Sequence, residues 1–140
     1  MDADLVIRSA RGWLGTRFHH QGRRKGVGVD CIGLVVGVAR ELGLEVDDRV
    51  NYPREPHDGE LQAELEKYLL KSELKAGCVA LFRLEKEPQH VGIVSDYNGA
   101  GLGLIHAYMQ ARKVVEHNLD ASWRAKIVAV YGFPQTAINI

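Results

Sequence analysis

The hydrophobic period of this chain changes once, near residue 78, and that change restricts the folds open to it. Before it, apolar residues recur at helical spacing: Val6, Ala10 and Trp13 share one face, and Leu61, Leu65 and Leu69 stack four apart. Between these segments lies a run that is apolar nearly all round. It comprises Ile32, Leu34, Val35, Val36, Val38, Ala39 and Leu42, and it belongs in a buried central helix. After residue 78, "CVALFRL", "HVGIVSDY", "LIHAY", "KVVEHNL" and "IVAVYGF" are short, alternating or uniformly apolar, with turn residues between them. Helices first and strands second predict an α+β domain, its N-terminal helices packed on a central antiparallel sheet of about five strands. At 140 residues the chain suits a single domain over 1–140.

Helices are expected over residues 3–14, from Cys31 to Leu42, and from about Asp58 to Leu70. Asp2 and Asp4 suit the start of the first and Gly15 its end; Gly43 suits the end of the second. Residues 15–29, with four glycines and the basic cluster Arg23, Arg24 and Lys25, read as a loop. Residues 44–57, with Pro53 and Pro56, read as a surface connection, and "SWRA" as one helical turn.

The composition excludes some partners. Eighteen basic residues balance eighteen acidic ones, so no bulk charge draws the chain to nucleic acid. No apolar stretch approaches the ~20 residues of a membrane span. "MDADLVIRSARGW" lacks the basic and apolar regions of an export signal, so synthesis in the cytoplasm without a signal peptide is expected. Two cysteines make no disulfide framework and read as free thiols.

Chemistry concentrates at "GVGVDCIGLVVGVARELG", where Cys31 opens the buried helix behind Asp30, a suitable N-cap. A helix N-terminus favours an anion, so this placement is expected to aim the thiol and lower its pKa. Cys31 alone allows two readings, an activated nucleophile or a thiol that packs. Cys78 opens an apolar strand on the face of Ala80 and Phe82, and packing is the reading there. A cysteine nucleophile needs a base and a group to orient it. His90 opens "HVGIV" and His106 interrupts "LIHAY", each the polar member of an apolar run. An odd-length loop between those strands puts both imidazoles on one sheet face, whereas a two-residue Asn98-Gly99 turn puts them on opposite faces. The run "YNGAGLG" permits either.

His19 and His20 precede the cysteine in a loop and read either as cleft-lining or as solvated; His57 and His117 read as peripheral. No paired C-x-x-C or H-x-x-x-H spacing is present, so neither a metal nor another cofactor is expected. Arg23, Arg24 and Lys25 suit a carboxylate-rich ligand or simply a solvated loop.

The ordered set of "WLGTRFHHQG", "GVDCIGLV", "ELKAGCVALFR", "HVGIV" and "IHAY" resembles the NlpC-type cysteine peptidases, a papain-like superfamily acting on bacterial cell-wall peptides. The resemblance runs from about Arg11 to Phe133, with Ile32 replacing the usual serine and Cys78 standing where an aspartate is common. It implies Cys31 as nucleophile, His90 as general base and His106 as the orienting residue. Phe18, His19, His20 and Asp30 are the expected substrate-binding residues, Phe18 standing where the family usually has tyrosine. The implied substrate is the peptide stem of peptidoglycan, cut between D-glutamate and a diamino acid. The form of the loop is similar to the branch found in phage tails and gene-transfer particles, which implies phage tail proteins as partners and incorporation in a tail or release on lysis. Two rival readings stay open: an amidase or acyltransferase using the same Cys-His pair, and a non-catalytic tail-tip assembly domain.

Overall fold

Asp2 caps the first helix, α1 (Ala3–Arg11), by accepting the Asp4 N–H at 2.8 Å. In the computed structural model, which describes residues 1–48, 59–85, 88–97, 99 and 101–135, α1 stops short of the expected Leu14. Gly12, Trp13 and Leu14 continue in tight turns instead, and Gly15 (φ 84°) swings the chain away so that its N–H meets Val114 O at 3.0 Å. The second helix, α2 (Cys31–Glu41), follows the apolar run as expected, and Gly43 (φ 88°) comes just after it. Leu34 and Val38 are wholly buried. Gly37 in α2 leaves room for the Trp13 ring, which comes from the turns after α1; a β-carbon there would run into that ring. In α3 (Glu60–Tyr68), Leu61 and Leu65 face the core and Leu69 follows them inward. The expected start at Asp58, and most of the proline-bearing connection, lie outside the described residues.

The strands are β1 (Arg23–Arg24), β2 (Gly28–Val29), β3 (Leu70–Lys71), β4 (Val79–Arg83), β5 (Pro88–Asp96), β6 (Leu102–Tyr108), β7 (Lys113–Asn118) and β8 (Ile127–Gly132). A single-turn helix, α4 (Ala121–Arg124), precedes β8, where "SWRA" was expected to coil once. β1 and β2 form a small hairpin inside the segment expected as loop. The main sheet is antiparallel with six strands, not five, in the order β3-β8-β4-β5-β6-β7. The additional strand is β3, a two-residue edge paired with Tyr131 and Gly132. Its Leu70 prolongs the helical spacing of α3, which hides it in the sequence.

The sheet has an apolar layer on each face. Val79, Leu81, Val91, Ile93, Ile105 and Ala107 pack with the three long helices. Ala80, Phe82, Val94 and Leu104 pack with Leu119 and Trp123 on the other side. Arg11 fastens α1 to the sheet through Asp96 (2.9 Å) and Glu116 (2.8 Å). Among the described residues no helix is long and apolar enough to cross a membrane.

Candidate active site

The turn into α2 is built before the thiol is placed. Asp30 accepts the Gly33 N–H at 2.7 Å through one oxygen and the Gln21 N–H at 2.8 Å through the other. Arg23 adds an ion pair to the same carboxylate at 3.1 Å and holds Asp48 with its remaining nitrogens at 2.7 and 3.1 Å. The cap, the β1–β2 hairpin and the segment after α2 are therefore one unit, and Cys31 leaves it at the first helical position.

The hairpin question resolves in favour of one face. β5 and β6 pair from Asp96↔Leu102 to Ile93↔Ile105, leaving the odd-length connection 97–101, closed by Tyr97 N–H to Gly101 O at 2.9 Å. His90 and His106 therefore share the face of Phe82 and Trp123, and His90 Nε2 lies 2.7 Å from His106 Nδ1. The bond depends on Gly92 between them. A β-carbon there would stand 2.7 Å from Leu104 Cδ1, 3.0 Å from His106 Cβ and 3.2 Å from Ile105 O, forcing β6 away. We expect Gly92→Ala to fold but to break the His90–His106 hydrogen bond, read from the ring 15N shifts of the two histidines.

Beyond Ile93↔Ile105 the β5–β6 ladder stops, although β6 pairs with β7 as far as Tyr108↔Lys113. The start of α2 meets the sheet beside this parting, and the backbone N–H of Val91, next to His90, bears on the Cys31 sulfur. No hydrogen bond joins that sulfur to the His90 ring in this conformation.

The electrostatics reverse one expectation. Cys31 as a whole keeps partial solvent access, but desolvation pushes its thiol up to about 12, and the adjacent Asp30 carboxylate adds to the rise. The N–H groups of Val91 and Ile32 and the Arg23 guanidinium pull the other way and do not prevail. The helix-terminal field is worth at most ~2 kcal/mol, less than the desolvation it opposes. Burial also draws His90 down to about 4. It draws His106 to about 2, with His90 and His117 contributing. At neutral pH the Cys31 thiol and the His90 and His106 rings are thus all neutral.

The other expected residues are spread around this centre. Phe18 is half-buried and bridges to Val29, with its N–H on Arg112 O at 2.9 Å, so the segment around Phe18 lies between the cysteine turn and β7. His19 is exposed with its Cβ against Gly28, and His20 is half-buried in the turn before Gln21. Asp30 is 3% exposed and both its oxygens are engaged, so it holds the cysteine turn in place. Cys78 is buried with Ala80 and Phe82, as expected. His57 lies outside the described residues.

His117 is not peripheral. Its Nε2 lies 2.8 Å from His106 Nε2 and its Nδ1 lies 2.9 Å from Asn118 O, extending the pair into a row of three imidazoles. Trp123 packs edge-on to His106 and tilted to His90 and His117, while Tyr108 stacks on His106 at 4.9 Å. The polar end of "KVVEHNL" gave no sign of this. The one signal available was parity: β6–β7 pairing sets Leu104 opposite His117, which places His117 on the face of His106.

Fold and site together define a class, an α+β domain with a thiol at a helix N-terminus that meets β5 at Val91, and a row of imidazoles on the antiparallel sheet. The chain belongs to the NlpC/P60 family, whose profile matches residues 15–131. It is 30% identical over 115 residues to an Escherichia coli (strain K12) protein named murein DD-endopeptidase MepS/murein LD-carboxypeptidase. That match covers 81% of this chain and 54% of the relative, so the chain spans about half the relative's length. Among solved structures it is similar to an NlpC/P60 family protein from Bacillus cereus ATCC 10987, with a TM-score of 0.69 and 18% identity, over 95% of this chain and 40% of that one. It is also similar to the peptidoglycan hydrolase RipB from Mycobacterium tuberculosis, with a TM-score of 0.60 and 23% identity, over 96% and 65%. These two likenesses are likenesses of fold.

Proposed function

We propose that this chain is a cysteine peptidase that hydrolyses amide bonds in the peptide stems of peptidoglycan. Cys31 is the nucleophile, His90 the general base and His106 the residue that orients it. The observation that carries this reading is the juxtaposition at Val91: the sulfur rests against the residue next to His90, and His90 is held from behind by His106 at 2.7 Å. Membership of the NlpC/P60 family and the name of the Escherichia coli relative support the substrate class.

Because the resting pair is neutral, the proton leaves sulfur as the bond forms. Cys31 Sγ attacks the amide carbonyl while His90 takes its proton. The Cys31 N–H, at the first position of α2 and outside the helical ladder, donates to the oxyanion. The His90 imidazolium then protonates the leaving amine, giving a thioester, which water hydrolyses with His90 again as base. The half-buried Phe18 ring, and His19 and His20 beside it, form the substrate side of the cysteine turn.

The proposed bond is that between D-glutamate and the diamino acid. Digestion of purified sacculi followed by mass spectrometry of the products tests it. Stem fragments ending at D-glutamate are expected. Products opened at the D,D cross-link would move the assignment to the activity in the relative's name. Intact sacculi together with turnover of simple acyl amides or esters would replace the peptidase by an amidase or acyltransferase.

A further inference from the structure

His117 sits at the outer end of the imidazole row, and the direction of the hydrogen bonds along that row is fixed at Asn118. A carbonyl oxygen only accepts, so His117 Nδ1, 2.9 Å from Asn118 O, carries a proton. With a single ring proton, held on Nδ1, His117 offers a bare Nε2. His106 Nε2, 2.8 Å away, must donate to it, which leaves His106 Nδ1 bare. His90 Nε2, 2.7 Å from that nitrogen, must donate in turn. Three choices that are independent in water become a single choice here, and its result is that His90 Nδ1 has a free lone pair.

From this geometry we propose that His117 is a positioning residue: anchored on the Asn118 carbonyl, it sets the tautomer of His106 and through it that of His90. The catalytic half of the proposal rests on the reading of His90 as general base; the tautomer half does not. Were the row reversed, with His117 donating from Nε2, then His106 Nδ1 and His90 Nδ1 would both carry protons. His90 would be unable to take a proton from sulfur. The Trp123 and Tyr108 rings packed on the row leave the three imidazoles few other partners. Burial, which keeps His90 and His106 neutral, keeps the row ordered.

The test uses histidine labelled with 15N, recorded on the intact protein at pH 8. Two-bond ring correlations report which nitrogen of each imidazole bears the proton. In the parent protein, His90 and His106 are expected as Nε2–H tautomers and His117 as Nδ1–H. His117→Leu removes the acceptor of His106, and mixed tautomers at His106 and His90 are expected, with kcat lower by about tenfold or more and KM little changed. His117→Gln retains an acceptor oxygen and is expected to restore both the spectrum and most of kcat. An Nε2–H tautomer at His117 in the parent protein, or His117→Leu with an unaltered His90 spectrum and kcat, overturns the proposal. Should the parent show the ordered row but digest no peptidoglycan, the tautomer lock stands and the assignment of activity falls. The parent spectrum alone decides the lock if His117→Leu does not fold.

Discussion

Replacing Cys31 by alanine is expected to lower peptidoglycan hydrolysis by about a thousandfold or more while leaving the fold intact. The magnitude follows from the chemistry, since an alanine methyl cannot form the acyl intermediate and only binding and oxyanion contacts remain. The intact fold follows from the position. Cys31 opens a helix whose start is held by Asp30, and alanine is a good helix former. Cys78 is the matched control: it is 2% exposed among apolar neighbours, so Cys78→Ala should retain turnover and lose about 1 kcal/mol of stability. The pair is read by muropeptide release and thermal unfolding together. A Cys31→Ala protein that digests sacculi at the parental rate would remove the thiol from the chemistry, and a docking or assembly role would then be the better reading.

The second large effect is on stability in acid. In the unfolded chain a histidine protonates near 6.5. In the fold His90 resists until about 4 and His106 until about 2, both because burial disfavours the charged ring. Below pH 6.5 the unfolded state therefore binds more protons than the native state, and stability falls as pH falls. The slope is about 1.4 kcal/mol per pH unit for each such group. Across the window from 6.5 down to about 4 the two groups together remove on the order of 6 kcal/mol, comparable with the whole stability of a marginal domain. Glu41 and Glu116 act in a lower window. Hydrogen bonds from Ser9 to Glu41 and from Arg11 to Glu116 hold these carboxylates below their ordinary range against the desolvation that raises them, so their contribution is lost as pH drops past 4.5. Urea midpoints measured from pH 7.5 to 4.5 check the effect, and His106→Gln should make the decline shallower. A midpoint that stays constant between pH 7 and 5 would mean the imidazoles are hydrated in solution.

Helix positions were legible in the sequence because their information is local. The apolar spacing, Asp2, Asp30 and Gly43 fall where α1 and α2 begin and end, to within a turn. The strand pairings were less so. Two-residue β3 has no pattern of its own, and β1 and β2 are held by the cysteine turn rather than by any apolar alternation. The parity of His90 and His106 turned on a loop length that "YNGAGLG" does not state. The acidity of Cys31 departs from expectation because the helix-terminal field can be read from a sequence, while the enclosure of a sulfur and the carboxylate charge set against it cannot. The place of His117 is hidden for the same reason. Its neighbours come from β6 and α4, and nothing within "KVVEHNL" names them.

The parting of β5 from β6, where α2 meets the sheet, has a consequence for biosynthesis. The sulfur leaves the ribosome before the three rings that would arm it, the last of which lies in β7. A nascent or nicked copy that lacks those strands carries an ordinary, unassisted thiol. On the proposed reading, activation is thus a property of the finished sheet, and a chain that lacks β5 to β7 has none of those imidazoles to assist its thiol.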